Sequence, residues 1–322
     1  MKILISGGAG FIGFNLVKKL SEGNNKIVII DDFSRGKFDK EFTEYINKKN
    51  IKLFDVNLVK ENALDKLDKD FEFIIHLAAI LGVENVVKDS FKVLNNNFLM
   101  TSNLINFAKL NSKLRRFIYA STSEVYSGTL KSIGLIFPTP ESTEIVIPSL
   151  IKPRTSYMLS KIYGEALCHS SGLPISIVRP HNVYGPRMGF SHVIPELILR
   201  VNKLNYNDQL EVFSPSHKRV FCFIDDAIKL LIYLLKNSKD KYKIFNLGNN
   251  NDEICMRDLA KIILTVMDRN DIKIVDGSNT DGSPERRIPD ITKITEYTGI
   301  KERVSLERGI SKTYDWYKYQ LE

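Results

Sequence analysis

MKILISGGAGFIG, from Met1 to Gly13, is the stretch whose reading decides the fold. An apolar strand over Lys2 to Ser6 runs into a turn over Gly7 to Gly10, and a helix is predicted from Phe11 to Leu20. Such a strand-turn-helix unit places a pyrophosphate on a helix N-terminus. Gly7 permits the tight turn, Gly10 lets the phosphates approach the backbone, and Gly13 lets the helix pack close to the strand; the spacing is GxxGxxG. A second apolar run, Lys26 to Ile30, ends in Asp31 and Asp32. An acidic side chain at that point accepts hydrogen bonds from ribose hydroxyls and repels a 2′-phosphate, which points to NAD rather than NADP.

Outward from this unit, Ile51 to Phe54 reads as a third strand closed by Asp55 and Val56, and Phe71 to His76 as a fourth that ends in HLAA. Asn95 to Lys109 reads as a helix, Arg115 to Ala120 as a strand, Tyr157 to His169 as a helix, and Ile175 to Arg179 and Lys243 to Asn246 as the last strands. This alternation predicts an α/β fold, a doubly wound parallel Rossmann sheet, with a smaller discontinuous C-terminal substrate domain. The NAD-binding domain is expected over 1–180 with a returning strand near 225–248, and the second domain, for a nucleotide sugar, over 181–224 and 249–322. In that second part, Pro186 to Ser216 and Asn249 to Glu322 show no clean βα alternation. The Pro-, Ser- and Thr-rich connection from Ser127 to Ser156 is long enough to read as a lid or cover.

With 322 residues and 43% apolar content, the chain can bury one large core or two unequal ones, and no apolar run is long enough to span a membrane. With a first strand at residue 2, no secretory leader is expected and cytoplasmic residence is the default. The formal charge of +8 is scattered among acids, as in KENALDKLDKD from Lys60 to Asp70, which reads as a solvated helix face. Nucleic-acid binding needs a clustered basic patch, and none is seen. Cys168, Cys222 and Cys255 lack metal-ligand spacing and read as reduced core thiols, so no metal is expected.

Tyr157 and Lys161 lie four apart on a predicted helix and share a face. Thr122, Ser123 and Glu124 follow the fifth strand. A hydroxyl, a tyrosine and a lysine beside a nicotinamide suit oxidation of a carbinol, with tyrosine taking the hydroxyl proton. Tyrosine's ordinary pKa of roughly 10 is too high for that task at neutral pH. An ammonium about 4 Å away contributes on the order of 4 kcal/mol at an effective dielectric near 20, equivalent to about three pKa units.

GGAGFIG, HLAA at His76 to Ala79, YMLSK at Tyr157 to Lys161, RPHNVYGPR at Arg179 to Arg187, RVFCFIDDA at Arg219 to Ala227, NLG at Asn246 to Gly248 and RRIPDITK at Arg286 to Lys293 together resemble the extended short-chain dehydrogenase/reductases of the nucleotide-sugar epimerase and dehydratase group. The resemblance runs nearly the full length. It implies NAD held by Gly7, Gly10, Phe11, Ile12, Gly13, Asp31, Asp32, Asp55, Val56, Leu77, Ala78, Ala79, Asn97, Tyr157, Lys161, Pro180 and Val183. It implies catalysis by Thr122, Glu124, Tyr157 and Lys161. A nucleotide sugar would meet Ser123, Asn182, His192, Val193, Arg219 and Arg287, with Asn182 and the two arginines on the diphosphate. A homodimer through a four-helix bundle of the Asn95 to Lys109 and Tyr157 to His169 helices is also implied, with Leu99, Leu104, Phe107, Ile162 and Leu167 on its faces.

Family members that remove water across C5 and C6 usually carry Asp then Glu after the threonine, whereas here Ser123 stands in place of that Asp; Glu124 is kept, as in members that decarboxylate or that dehydrate GDP-mannose. GFSHVIPEL is similar to the GDP-fucose synthase group, with a histidine at His192 but no cysteine at Glu124. ILGVENVV, PTPEST, KPRTSYMLSK and RPHNVYGPRMG look most like the branch that handles GDP-manno-heptose for bacterial capsules and oxidises its C4. A 4-keto product would then be released, re-reduced from the other face, or dehydrated. A rival expectation is an NAD(H)-binding regulator that has lost turnover, which the intact Thr122, Tyr157 and Lys161 oppose.

Overall fold

The computed structural model describes residues 1–237, 241–280 and 283–321. Strand β1 (Lys2–Ser6) leads into helix α1 (Phe11–Leu20), then β2 (Lys26–Asp31), β3 (Ile51–Asp55) and β4 (Phe73–His76). Helix α2 (Ser90–Lys109), β5 (Arg116–Ala120), helix α3 (Arg154–Ser170), β6 (Ile175–Pro180) and β7 (Tyr242–Leu247) complete the first unit's frame. The seven strands form one parallel sheet in the order β7-β6-β5-β4-β1-β2-β3. They are apolar on both faces because helices cover both: every residue of β4 and β5 is buried.

The strand order reverses at β1, which lies between β2 and β4, with Ser6 opposite Ile30 on one side and His76 on the other. The crevice at such a reversal, outside the carboxyl ends of the strands, is where open α/β sheets take ligands. The glycine turn, the HLAA segment and the Thr122 to Glu124 run all leave the sheet at this edge.

Several sequence expectations change in detail. Helix α2 starts at Ser90, where the Asp89 side chain accepts the Lys92 N–H as an N-cap, and α3 starts at Arg154 behind Pro153. Lys60 to Asp70 is a series of turns, not a helix: only its two leucines, Leu64 and Leu67, reach the core, too few to make an apolar stripe. The connection after Ser127 opens with a short helix, Ser127–Ser132, and is tied down. Thr129 Oγ1 donates to the Glu144 carbonyl at 2.6 Å and accepts the Val146 N–H at 3.1 Å. Leu104 and Phe107 point into the sheet core, not outward, whereas Phe91 is 77% exposed. Cys168 and Cys222 are core thiols, but Cys255 is half-buried and donates to Asp258 Oδ2 at 3.1 Å.

The chain divides into two compact units, the first being Met1–Leu135, Glu141–Pro180 and Ile228–Asn246, the second Ile136–Pro140, His181–Ala227 and Leu247–Glu322. The second contains more regular structure than its sequence pattern shows. Helices Val193–Asn202 and Met256–Val266 accompany a parallel pair of strands, Gln209–Val212 with Lys273–Asp276. A second small sheet joins Ile254–Cys255, Lys218–Arg219 and Arg286–Arg287, and Val183–Tyr184 pairs with Cys222–Phe223. The strands are too short, at two to four residues, for alternation to register.

Candidate active site

The glycine turn is shaped by what surrounds it. Gly7 has φ of 72°, and a Cβ there would lie 2.7 Å from the Ala78 N, so HLAA and the turn approach backbone to backbone. A Cβ on Gly13 would collide with the Gly7 carbonyl, which fixes how closely α1 stands behind the turn. At Gly10 a Cβ would meet only the Gly7 oxygen, at 3.3 Å, and the far side of the turn is open. Gly10 is the N-cap of α1 and brings no side-chain acceptor, and no acidic residue stands in the first turn. The N–H groups of Phe11, Ile12 and Gly13 therefore offer the helix's positive end to an anion, a fit to a dinucleotide pyrophosphate.

Asp31 is buried and accepts the N–H of Ala9 on Oδ2 and that of Phe33 on Oδ1, both at 2.9 Å. Burial raises its pKa against these two amides, with Asp32 and Asp55 adding negative charge. Its carboxylate therefore braces the glycine turn as well as presenting charge at the end of β2. Asp32 is exposed and caps its own loop, accepting Ser34 Oγ at 2.6 Å. Asp55 lies opposite Asp31 across β2 and β3, and the Val56 N–H donates to the Asp31 carbonyl.

His76 is fully inside, with Nδ1 2.7 Å from Ser6 Oγ and Nε2 3.1 Å from Thr101 Oγ1. Burial, then the Lys161 charge, lowers its pKa to about 3, so it stays neutral and pins β1 and β4 to α2. The Leu77 N–H donates to the Ser6 carbonyl, and Ala78 and Ala79 follow, half-buried. Asn97 accepts the Ile80 N–H and donates to the Ile80 carbonyl and to Ser160 Oγ; its amide shapes the loop beyond HLAA and joins α2 to α3.

Thr122, Glu124 and Tyr157 come together at the end of β5. Thr122 Oγ1 accepts the Glu124 N–H at 3.2 Å and donates a hydrogen bond to Tyr157. Ser123 is buried at the start of the short helical turn Ser123–Tyr126. Burial raises the Tyr157 phenol's pKa, and the Glu124 carboxylate raises it further; the Thr122 hydrogen bond and the Arg35 charge oppose them. Lys161 differs from its expected placing. Its ammonium donates to the Ala120 carbonyl at 2.8 Å and sits 5.0 Å from the centre of the Tyr119 ring. Burial lowers its pKa to about 8, while Cys168 and Glu165 oppose that fall. The cation that acts on Tyr157 is Arg35, in the DDFSRGKFD loop that follows β2. An arginine among scattered basic loop residues carries no spacing signal.

The second unit holds the remaining residues. Asn182 has φ of 41° and donates through Nδ2 to the Val220 carbonyl at 2.9 Å. His192 is the N-cap residue of the Val193–Asn202 helix. Pro180 closes β6, and Val183 is buried in its two-residue strand. Arg219 is buried, not a surface charge, and its guanidinium donates to the carbonyls of Lys218, Pro284 and Glu285 and to Ser283 Oγ. Arg287 lies directly opposite it on the neighbouring strand. Like charges so placed repel. Burial and Arg287 together lower the Arg219 pKa to about 10.

A sheet with its crevice at the β1 reversal, an open glycine turn before an uncapped helix, and a hydroxyl-phenol pair at the end of β5 fit an enzyme that uses a dinucleotide. The profile of the NAD dependent epimerase/dehydratase family matches residues 3–248, and the chain belongs to that family, an NAD-dependent enzyme group. UDP-N-acetyl-alpha-D-glucosaminuronate decarboxylase of Bacillus cytotoxicus is 31% identical, covering 98% of both chains. UDP-glucuronic acid decarboxylase 1 of Xenopus tropicalis is 29% identical over 100% of this chain and 73% of its own. The solved UDP-glucuronic acid 4-epimerase of Bacillus cereus, in complex with UDP-glucuronic acid and NAD, superposes with a TM-score of 0.83 at 28% identity, covering 99% of this chain and 100% of that one.

Proposed function

We propose that this enzyme oxidises C4 of a nucleotide-activated sugar to the 4-keto sugar nucleotide. The observation that carries the reading is the Thr122 hydrogen bond to Tyr157 at the carboxyl edge of β5, on the same sheet edge as the open glycine turn. Bound NAD would supply the acceptor for the hydrogen and electron pair that leave C4, and a positive ring that favours the Tyr157 phenolate. Gly7, Gly10 and the first turn of α1 would hold its pyrophosphate, and Asp31 and Asp32 its adenosine ribose. Tyr157 takes the C4 hydroxyl proton, and Thr122 stabilises the phenolate with its one O–H until that proton arrives. Burial and Glu124 hold the resting phenol neutral, so the proton transfer is favourable only once positive charge stands beside it. Arg219 and Arg287 would take the diphosphate, with Asn182, His192 and Val193 also on the substrate side.

The sequence resemblance supports GDP-manno-heptose and release of the 4-keto sugar. The relatives favour a second reading, because those named above are decarboxylases and an epimerase of UDP-sugars. Ser123 and Glu124 fit both, since an unassisted serine is a poor proton donor and dehydration needs an acid there. Incubation with NAD and, in turn, GDP-manno-heptose, UDP-glucuronic acid, UDP-N-acetylglucosaminuronic acid and UDP-glucose, followed by proton NMR, separates them. A 4-keto sugar with its carbon chain intact is expected from one of these; loss of carbon dioxide or inversion at C4 establishes the second reading, and no change in any sugar overturns C4 oxidation. The subunit is proposed to act as a homodimer through α2 and α3.

A further inference from the structure

Tyr157, Lys161 and Glu165 occupy one stripe of α3 at i, i+4 and i+8, and each binds one of three consecutive residues at the end of β5. Lys161 donates to the Ala120 carbonyl, Ser121 Oγ donates to Glu165 Oε1 at 2.5 Å, and Thr122 donates to Tyr157. The contact is close along its length, because a Cβ at Gly164 would collide with the Tyr119 hydroxyl. Glu165 touches nothing that reacts. Its carboxylate is fixed from the other side by a fork: Arg179 Nε donates to Oε1 at 2.9 Å and Nη2 to Oε2 at 2.7 Å. Arg179 is itself held, with Nη1 donating to Tyr126 Oη at 2.7 Å and to the Glu141 carbonyl at 3.2 Å. Tyr126 donates to Asn246 Oδ1, and the Asn246 N–H donates to Glu141 Oε1. Ser121, Glu165 and Arg179 are all buried.

We propose that Glu165 is a positioning residue for the reaction put forward above: gripped by Arg179, it fixes the Ser121 hydroxyl and so holds the Ala120–Ser121–Thr122 run where Lys161 and Tyr157 need it. The proposal rests on Thr122 and Tyr157 being the working pair. An ion pair present only for stability would have no reason to share an acceptor oxygen with the residue between the two that Tyr157 and Lys161 engage. The charged and titratable groups facing Lys161 are Glu165 and Cys168 from its own helix, His76 from β4 and Tyr119 from β5.

Two variants test it, each with a readout that needs no sugar. The titration of Lys161 is followed by NMR of lysine-labelled protein, its signal assigned with Lys161→Arg. Glu165→Gln removes the carboxylate, and the Lys161 midpoint is expected to fall by about one unit. It also leaves Arg179 buried without its partner, which can prevent folding. Ser121→Ala keeps the ion pair and therefore the fold; with its hydroxyl donor gone the carboxylate presents more charge to the ammonium, and the midpoint is expected to rise by about half a unit. Where the wild type turns over a sugar nucleotide, Ser121→Ala should lose about tenfold in kcat with KM for NAD and sugar within about twofold. A Lys161 midpoint unmoved in Ser121→Ala, or unchanged kcat beside a lower melting temperature, overturns the proposal. Failure of the wild type to turn over any sugar leaves the titration standing and counts against the function alone.

Discussion

Tyr157 and Asp31 show how far one side chain's surroundings can alter what it does. Tyr157→Phe removes the acid/base hydroxyl and little else, so turnover should fall by about 10²- to 10⁴-fold while NAD affinity, measured by calorimetry, stays within about twofold. Retained turnover above a tenth of wild type refutes the base assignment. Asp31 and Asp32 are not equivalent, because only Asp31 accepts the Ala9 and Phe33 amides. Asp32→Ala should weaken discrimination against NADP and leave the fold intact. Asp31→Ala should weaken binding of both cofactors and lower the melting temperature, since the glycine turn loses its brace.

At the scale of elements, β1, β4 and α2 are joined through a neutral histidine. His76 titrates at about 3 in the folded chain and near its ordinary value when unfolded. The unfolded state thus binds the extra proton first, and stability from this group is lost as pH falls below about 6.5, at about 1.4 kcal/mol per pH unit, until about pH 3. His76→Gln should flatten that slope by one proton in denaturant titrations run between pH 4 and 6. Gly164→Ala should cost about 1–3 kcal/mol, because α3 must move off Tyr119 to make room. The strands of the central sheet were legible because each is an apolar run at the right spacing, and the GxxGxxG turn because its glycines do geometric work no other residue can. The true start of α2 at Ser90 was not, since Asp89 signals a cap only once the apolar face beyond it is known. Lys161's preference for the Ala120 carbonyl and Arg35's approach to Tyr157 depend on how a strand end and a loop fold in three dimensions, and no local pattern encodes either.

At the scale of the whole molecule, the exposed Phe91 and the partly exposed Tyr163, packed edge-on to Phe98 at 4.8 Å, lie on α2 and α3 and are what a second copy would cover. A homodimer is expected by light scattering at micromolar concentration, and Phe91→Lys with Tyr163→Lys should shift it toward monomer. Among the described residues no helix is long and apolar enough to cross a membrane. The paired arginines have a further consequence. If Arg219 and Arg287 take the diphosphate as proposed, an anion laid against them would offset the Arg287 charge that, with burial, lowers the Arg219 pKa, and that gain would be the same for any nucleoside diphosphate whatever it carries. Such a protein would hold its substrate by a handle and leave the sugar free to be judged by where its C4 hydroxyl lands. A bare nucleoside diphosphate should then bind nearly as tightly as the full substrate, and the 4-keto product, which keeps the same handle, would compete with the next substrate.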